Sequence, residues 1–211
     1  MMKTTTLKRC PTAWAIILVA ACGLSLAGCA TAQSQNPASH AAAEAKGGGA
    51  VSGAPKVGQA APDFRLPYAT QEQIYLKPEE HMSLSGQRGK NIILAFYPAD
   101  WSGGCTKEVC TLRDTFAELS KLNATVLGIS GDYVFSHHEW AKFHKLQFPL
   151  LSDHDHKVAR AYDSYMESAG YNKRTVYLID KEGIVRYVNL DFKAGDMNDY
   201  KSLREELAKL K

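Results

Sequence analysis

Two cysteines, Cys105 and Cys110, are the residues of this 211-residue chain best placed to do chemistry, in the run Phe-Tyr-Pro-Ala-Asp-Trp-Ser-Gly-Gly-Cys-Thr-Lys-Glu-Val-Cys over residues 96–110. An apolar stretch, residues 91–97, runs into a short loop, and Gly103 and Gly104 deliver Cys105 to the first turn of a predicted helix. A thiol at that position meets unpaired backbone N–H groups and the positive end of the helix dipole, both of which favour the thiolate. A cysteine in mid-helix is more often a small core residue. The glycine pair frees N–H groups to face an anion and shifts the reading towards a reactive sulfur. Ser102, three residues before Cys105, is placed either to cap the helix or to set a hydroxyl beside the sulfur.

Cys110 follows at i+5 on the same predicted helix. On an ideal helix those Cα atoms are roughly 8–9 Å apart and about 140° round the axis. A disulfide needs Cα atoms within about 7 Å. An intact helix therefore keeps the two sulfurs apart, and a bond between them requires the first turns to unwind. A transient disulfide coupled to local unfolding fits this spacing better than a permanent structural bridge.

The elements that must position this pair are legible in the hydrophobic pattern. Residues 64–68 and 74–76 read as short strands, with Pro67 pointing to edge or irregular pairing. Residues 91–97 and 125–130 read as buried strands, and Cys105, Val109, Leu112, Phe116 and Leu119 recur at helical spacing over 103–122. Ser136 is a candidate cap for a helix through Trp140, Phe143 and Leu146. Residues 148–151 read as a short strand and 158–162 as a short helix. Asp180-Lys181-Glu182-Gly183 is a turn signal between strands 174–179 and 184–188, and Tyr200, Leu203, Leu207 and Leu210 mark a terminal amphipathic helix. Alternating β and α units predict an α/β fold, a central mixed sheet with helices on both faces.

Residues 1–28 read as a leader, with a basic start at Lys3, Lys8 and Arg9 and an apolar stretch over 13–27. Leu26-Ala27-Gly28-Cys29 resembles a bacterial lipobox, which implies lipidation of Cys29 and a membrane-anchored lipoprotein of the cell envelope. The competing readings are a plain signal peptide or a membrane anchor, for which the apolar stretch is short. Residues 29–56, rich in Ala and Gly, form a flexible tether, and 57–211 form one domain. Three of the chain's 25 cations lie in the leader, which leaves 22 against 22 acids and no charge argument for nucleic acid. Of five cysteines, Cys10 and Cys22 leave with the leader, so Cys105 and Cys110 alone stay free for chemistry.

The run over 96–110 resembles the active-site segment of the peroxiredoxins, AhpC/TSA proteins, and most of all the bacterioferritin-comigratory (Q-type) branch. There a Cys-Thr-x-Glu-x-Cys pattern follows Phe-Tyr-Pro. The resemblance extends from Gly58-Gln59-Ala60-Ala61-Pro62-Asp63-Phe64 to Arg174-Thr175-Val176-Tyr177-Leu178-Ile179-Asp180. It implies a thioredoxin-like fold and a peroxidase that reduces hydrogen peroxide or organic hydroperoxides. Cys105 would be the peroxidatic sulfur and Cys110 the resolving one, giving an intramolecular disulfide that a thioredoxin-like donor reduces. Pro98 would shield the sulfur, Ser102 would stand where the family has Thr, and Arg174 would lower the thiol pKa and stabilise charge on the breaking O–O bond. Glu108 would be a structural partner for an arginine or for backbone groups. The chemistry needs no cofactor and no metal, and a resolving thiol in the same chain implies a monomer.

The chain departs from the family in reading Ser102-Gly103-Gly104 where Thr-Pro-Gly is usual, which makes the loop less rigid, and residues 69–85 are longer than usual. A thioredoxin-fold lipoprotein delivering copper is the alternative, with Asp153-His154-Asp155-His156, His137, His138 and His144 as ligand types. Such proteins resemble a Cys-x3-Cys-Pro pattern, which is absent here, and the histidines read as a polar helix face and a solvated loop. A thiol–disulfide oxidoreductase would carry Cys-x-x-Cys, which is also absent.

Overall fold

The computed structural model describes residues 53–210; the leader, Cys29 and most of the tether lie outside them. In chain order the elements are β1 (Arg65–Leu66), β2 (Tyr68–Ala69), β3 (Ile74–Tyr75), β4 (Met82–Ser83), β5 (Asn91–Phe96), α1 (Gly103–Asp114), α2 (Phe116–Lys121) and β6 (Ala124–Ser130). They continue as α3 (Val134–His144), β7 (Leu150–Ser152), α4 (Lys157–Ala161), β8 (Tyr165–Met166), β9 (Tyr171–Asn172), β10 (Thr175–Ile179), β11 (Val185–Asn189) and α5 (Met197–Ala208).

Seven strands form the central sheet in the order β11-β10-β5-β6-β7-β2-β3. β5, β6 and β7 run parallel, joined by crossovers through α1–α2 and through α3. β10 lies antiparallel to β5 and turns back as β11, so the sheet is mixed, as expected. Side chains alternate across β5 and divide the core in two. Ile93 and Ala95 pack with Cys105, Val109 and Leu112 of α1, Trp140 of α3 and Leu203 of α5. Ile92, Leu94 and Phe96 pack on the other face with Val158 and Ala159 of α4. Among the described residues no helix is long and apolar enough to cross a membrane.

Several local expectations are corrected. The helix foreseen over 103–122 breaks at Thr115, whose φ of −96° and ψ of 0° end α1. The Thr115 hydroxyl donates to Thr111 O at 3.0 Å, a side-chain bond that competes with the helical ladder. Ser136 caps nothing: α3 begins two residues earlier, after Tyr133, and the Ser136 hydroxyl goes to Asp100 instead. Phe143, foreseen on the inner stripe of that helix, is 71% exposed. Pro67 separates β1 from β2, which belong to different sheets, so the strand read over 64–68 is two short ones. Segment 69–85 supplies β3, the sheet's edge, and β4, which pairs with β1. The turn after β10 forms as foreseen. Asp180 Oδ1 accepts from Glu182 N and Ile184 N at 3.0 and 2.8 Å, and Gly183 takes the positive φ of +80°.

Candidate active site

β5 ends at Phe96, and residues 97–102 carry the chain from the carboxyl end of that central strand to the start of α1. Ser102 is the N-cap of α1. Its Oγ accepts from Cys105 N at 3.4 Å and donates to Ala99 O at 3.1 Å, so its one hydroxyl hydrogen is spent on the loop and not on sulfur. Cys105 is therefore the third residue of the helix, fully buried, with its own N–H tied to the cap.

Arg174, the residue before β10, reaches this point because β10 pairs with β5, with Thr175 opposite Phe96. Arg174 Nη2 donates to Cys105 Sγ at 3.3 Å. The other arm, Nη1, is bonded to Glu108 Oε2 one turn further along α1. A Cβ on Gly104 would come to 3.2 Å from Arg174 Nη2, so a glycine there lets the guanidinium close on the sulfur. Glu108 is the arginine partner that the resemblance implied. It is wholly buried, and burial pushes its carboxyl up to about 7 against the opposing pull of Arg174. Its second oxygen has no hydrogen-bond partner among the described residues.

The loop before Ser102 is held by a polar network that the sequence did not announce. Asp100, buried, accepts from Tyr97 OH at 2.9 Å on one oxygen. Its other oxygen meets Ser136 Oγ at 2.7 Å and His137 Nδ1 at 2.9 Å. His137 Nε2 faces Leu151 O at 3.2 Å. His137, foreseen on a polar helix face, is thus fully buried and spans α3 to the loop before α1 and to β7. Trp101 stands in the left-handed region at φ +61°, a conformation that costs energy for a bulky residue. Its indole Nε1 donates to Ser136 Oγ at 3.2 Å, which ties the strained residue to the same network.

The structure therefore brings Cys105, Ser102 and Arg174 together. Pro98 lies half-buried just after β5. Cys110 belongs to another side of α1: partly exposed, it has His144 Nδ1 at 3.6 Å from its sulfur. Both cysteines are free thiols within one unbroken helix, which keeps their sulfurs apart. Cys29 lies outside the described residues. The histidines of the copper alternative do not converge. His137 is bonded to Asp100, His138 Nδ1 lies 2.8 Å from Thr70 O, and His144 faces Cys110. Asp153, foreseen in a solvated loop, is buried and caps α4 through Val158 N and Ala159 N. Among the described residues no group of three or more His, Cys, Asp or Glu is placed to hold a metal ion.

Comparison with known proteins gives this geometry a context. The AhpC/TSA family pattern matches residues 57–188. The chain is similar to peroxiredoxin Bcp of Bacillus subtilis, 37% identical over 134 residues, which are 61% of this chain and 80% of that protein. It is also 39% identical over 139 residues to chloroplastic peroxiredoxin Q of Oryza sativa subsp. japonica, covering 65% of this chain but only 60% of the rice protein's length. Among solved structures, peroxidoxin BcpB from Mycobacterium tuberculosis superposes with a TM-score of 0.64 at 28% identity, over 74% of this chain and 99% of that one. The fold is thus the thioredoxin-like one of these neighbours.

Proposed function

The chain belongs to the AhpC/TSA family, and from that premise we propose that it is a thiol-dependent peroxidase acting on hydrogen peroxide or organic hydroperoxides. The observation that carries this reading is the contact between Arg174 Nη2 and Cys105 Sγ, 3.3 Å long, at the buried start of α1. A guanidinium beside a sulfur at a helix N-terminus stabilises negative charge on the sulfur before reaction and on the oxygens during it.

In the proposed cycle the Cys105 thiolate attacks the terminal oxygen of the peroxide. The O–O bond breaks, the alkoxide or hydroxide leaves and takes a proton, and Cys105 becomes a sulfenic acid. Arg174 offsets the charge that develops on the breaking bond. The first turns of α1 then unwind, and Cys110 attacks the sulfenic sulfur to form a disulfide and release water. A thioredoxin-like dithiol restores both cysteines by exchange. Apart from the peroxide and the dithiol donor, these steps use only side chains of this chain, and a monomer suffices because both sulfurs lie on one helix.

Peroxide consumption by the reduced protein tests the reading. Turnover with a dithiol donor is expected for the native chain, none for Cys105→Ser, and a single turnover ending in sulfenic acid for Cys110→Ser. Turnover that survives Cys105→Ser would overturn it.

We also propose that the protein works at the cell envelope as a lipoprotein held through Cys29. The support is the sequence alone, Leu26-Ala27-Gly28-Cys29 after an apolar leader, with the tether holding the domain off the membrane. Membrane-fraction recovery that is lost in Cys29→Ala is the expected result. Recovery in the soluble fraction for both forms would contradict it.

A further inference from the structure

Cys110 is not simply a spare thiol on the flank of α1. Its sulfur lies 3.6 Å from Nδ1 of His144, the last residue of α3, and this contact joins α1 to α3 through residues 34 positions apart in the chain. Arg113, one turn further along α1, donates from Nη1 to the His144 carbonyl at 2.8 Å and fixes the end of α3 against α1. The imidazole sits in an aromatic surround. Phe143 stands at 4.9 Å, Trp140 at 5.8 Å and Trp101 at 6.4 Å between ring centroids. Through Trp101 the surround is continuous with the loop that carries Cys105.

We propose that His144 is the proton acceptor for Cys110 in the step that resolves the oxidised Cys105. The inference rests on the peroxidase reading above. In the tautomer that carries its hydrogen on Nε2, the neutral imidazole offers Nδ1 as an acceptor to the weak S–H donor of the thiol, the polarity that proton withdrawal requires. Burial, then the charge of Arg113, hold His144 below its ordinary value, so the ring is neutral and able to accept at neutral pH. Arg113 is the charged group that faces the ring from α1, and Lys145 follows it in the chain; the other neighbours are the three aromatic rings and Cys110 itself.

The step balances as follows. The Cys110 S–H bond breaks, the proton passes to His144 Nδ1, and the electron pair stays on sulfur. That pair forms the bond to the Cys105 sulfur as its S–O bond breaks. The leaving oxygen takes back a proton and departs as water, which returns the imidazole to its neutral form. Cys110 is oxidised and Cys105 reduced, with no further oxidant. The geometry of α1 allows this: only its first turns, around Cys105, must unwind for the sulfurs to meet, and Cys110 lies far enough along Gly103–Asp114 to stay beside His144.

The test is a rapid-mixing experiment on the reduced protein with one equivalent of hydrogen peroxide, following Cys105 oxidation and disulfide formation as separate phases from pH 6.5 to 8. The variants are His144→Asn, which keeps an acceptor but no base, and His144→Phe, which keeps the aromatic packing. In both, the oxidation phase should match the native protein, while disulfide formation slows by about 10²-fold, the usual contribution of a positioned base. Log rate against pH should be flat in the native protein and rise by one per pH unit in the variants. An oxidation phase with unchanged disulfide rates and slopes in both variants, or native behaviour restored by Phe alone, overturns the role of His144. Absence of the oxidation phase in the native protein overturns the peroxidase reading and this one with it.

Discussion

Arg174 Nη2 lies 3.3 Å from Cys105 Sγ although 69 positions separate the two residues, and the pairing of β10 with β5 alone closes that gap. The same guanidinium is shared with Glu108, so its position is fixed by α1 itself. Replacing Arg174 by Lys keeps a charge but cannot serve sulfur and carboxylate together with a planar fork. The second-order rate constant for peroxide should fall by about 10²–10³-fold in Arg174→Met, the scale of losing one charge-stabilising donor, and by a smaller factor in Arg174→Lys. A rate within threefold of native for Arg174→Met would remove the residue from the chemistry.

Glu108 makes stability depend on pH in a definite direction. Its ordinary value is 4.5, and burial raises it to about 7 in the folded chain. Between those values the folded protein holds a proton that the unfolded chain has lost. This contribution is therefore complete below pH 4.5 and disappears as pH rises through 7. The shift corresponds to about 3 kcal/mol. Urea midpoints of the native protein and Glu108→Gln, compared from pH 4.5 to 8, should show the native protein losing stability relative to the variant as pH rises. A difference that is constant with pH would contradict the assignment.

Ser102 supplies a cap and holds the loop through Ala99 O. Ser102→Ala should lower stability by about 1 kcal/mol. In the proposed cycle the cap opposes the unwinding that brings the sulfurs together, so disulfide formation after peroxide should be at least as fast in Ser102→Ala as in the native protein. Ser102→Thr should behave as native. Slower disulfide formation in the alanine variant would mean that unwinding does not begin at the cap.

His137 is bonded to Asp100 with both side chains essentially inaccessible to water. His137→Leu leaves a buried Asp100 oxygen without one of its hydrogen-bond donors and should cost about 2 kcal/mol, read as a shift of the denaturant midpoint. A cost below about 1 kcal/mol would show that Tyr97 and Ser136 alone satisfy Asp100.

Local pattern carried the fold well because the core strands are continuously apolar and the helices periodic. It failed where side chains competed with the backbone: Thr115 ends a helix whose stripe continues past it, and Ser136 turns to Asp100 instead of capping α3. Cys105 was legible as the candidate cysteine because its loop, glycines and helix start are contiguous. Arg174 was not, since its strand pairing is tertiary, and only the family resemblance pointed to it. Asp100, His137 and His144 escaped for the same reason. A buried histidine between two acceptors looks, in one dimension, like any polar residue on a helix face. His137-His138, adjacent in sequence, have opposite fates, one buried on Asp100 and the other turned towards Thr70 O. The left-handed Trp101 also left no sequence mark, because strain of that kind is set by the network around it.

The central claim is that peroxide oxidises Cys105 and that Cys110 of the same chain resolves it. A non-reducing tryptic map after one equivalent of hydrogen peroxide tests it most directly, because cleavage after Lys107 separates the two cysteines unless a disulfide joins them. The account predicts one linked peptide pair carrying Cys105 and Cys110 in monomeric protein, and trapped sulfenic acid at Cys105 in Cys110→Ser. Two free thiols, or a Cys105 joined to a second molecule, would contradict it.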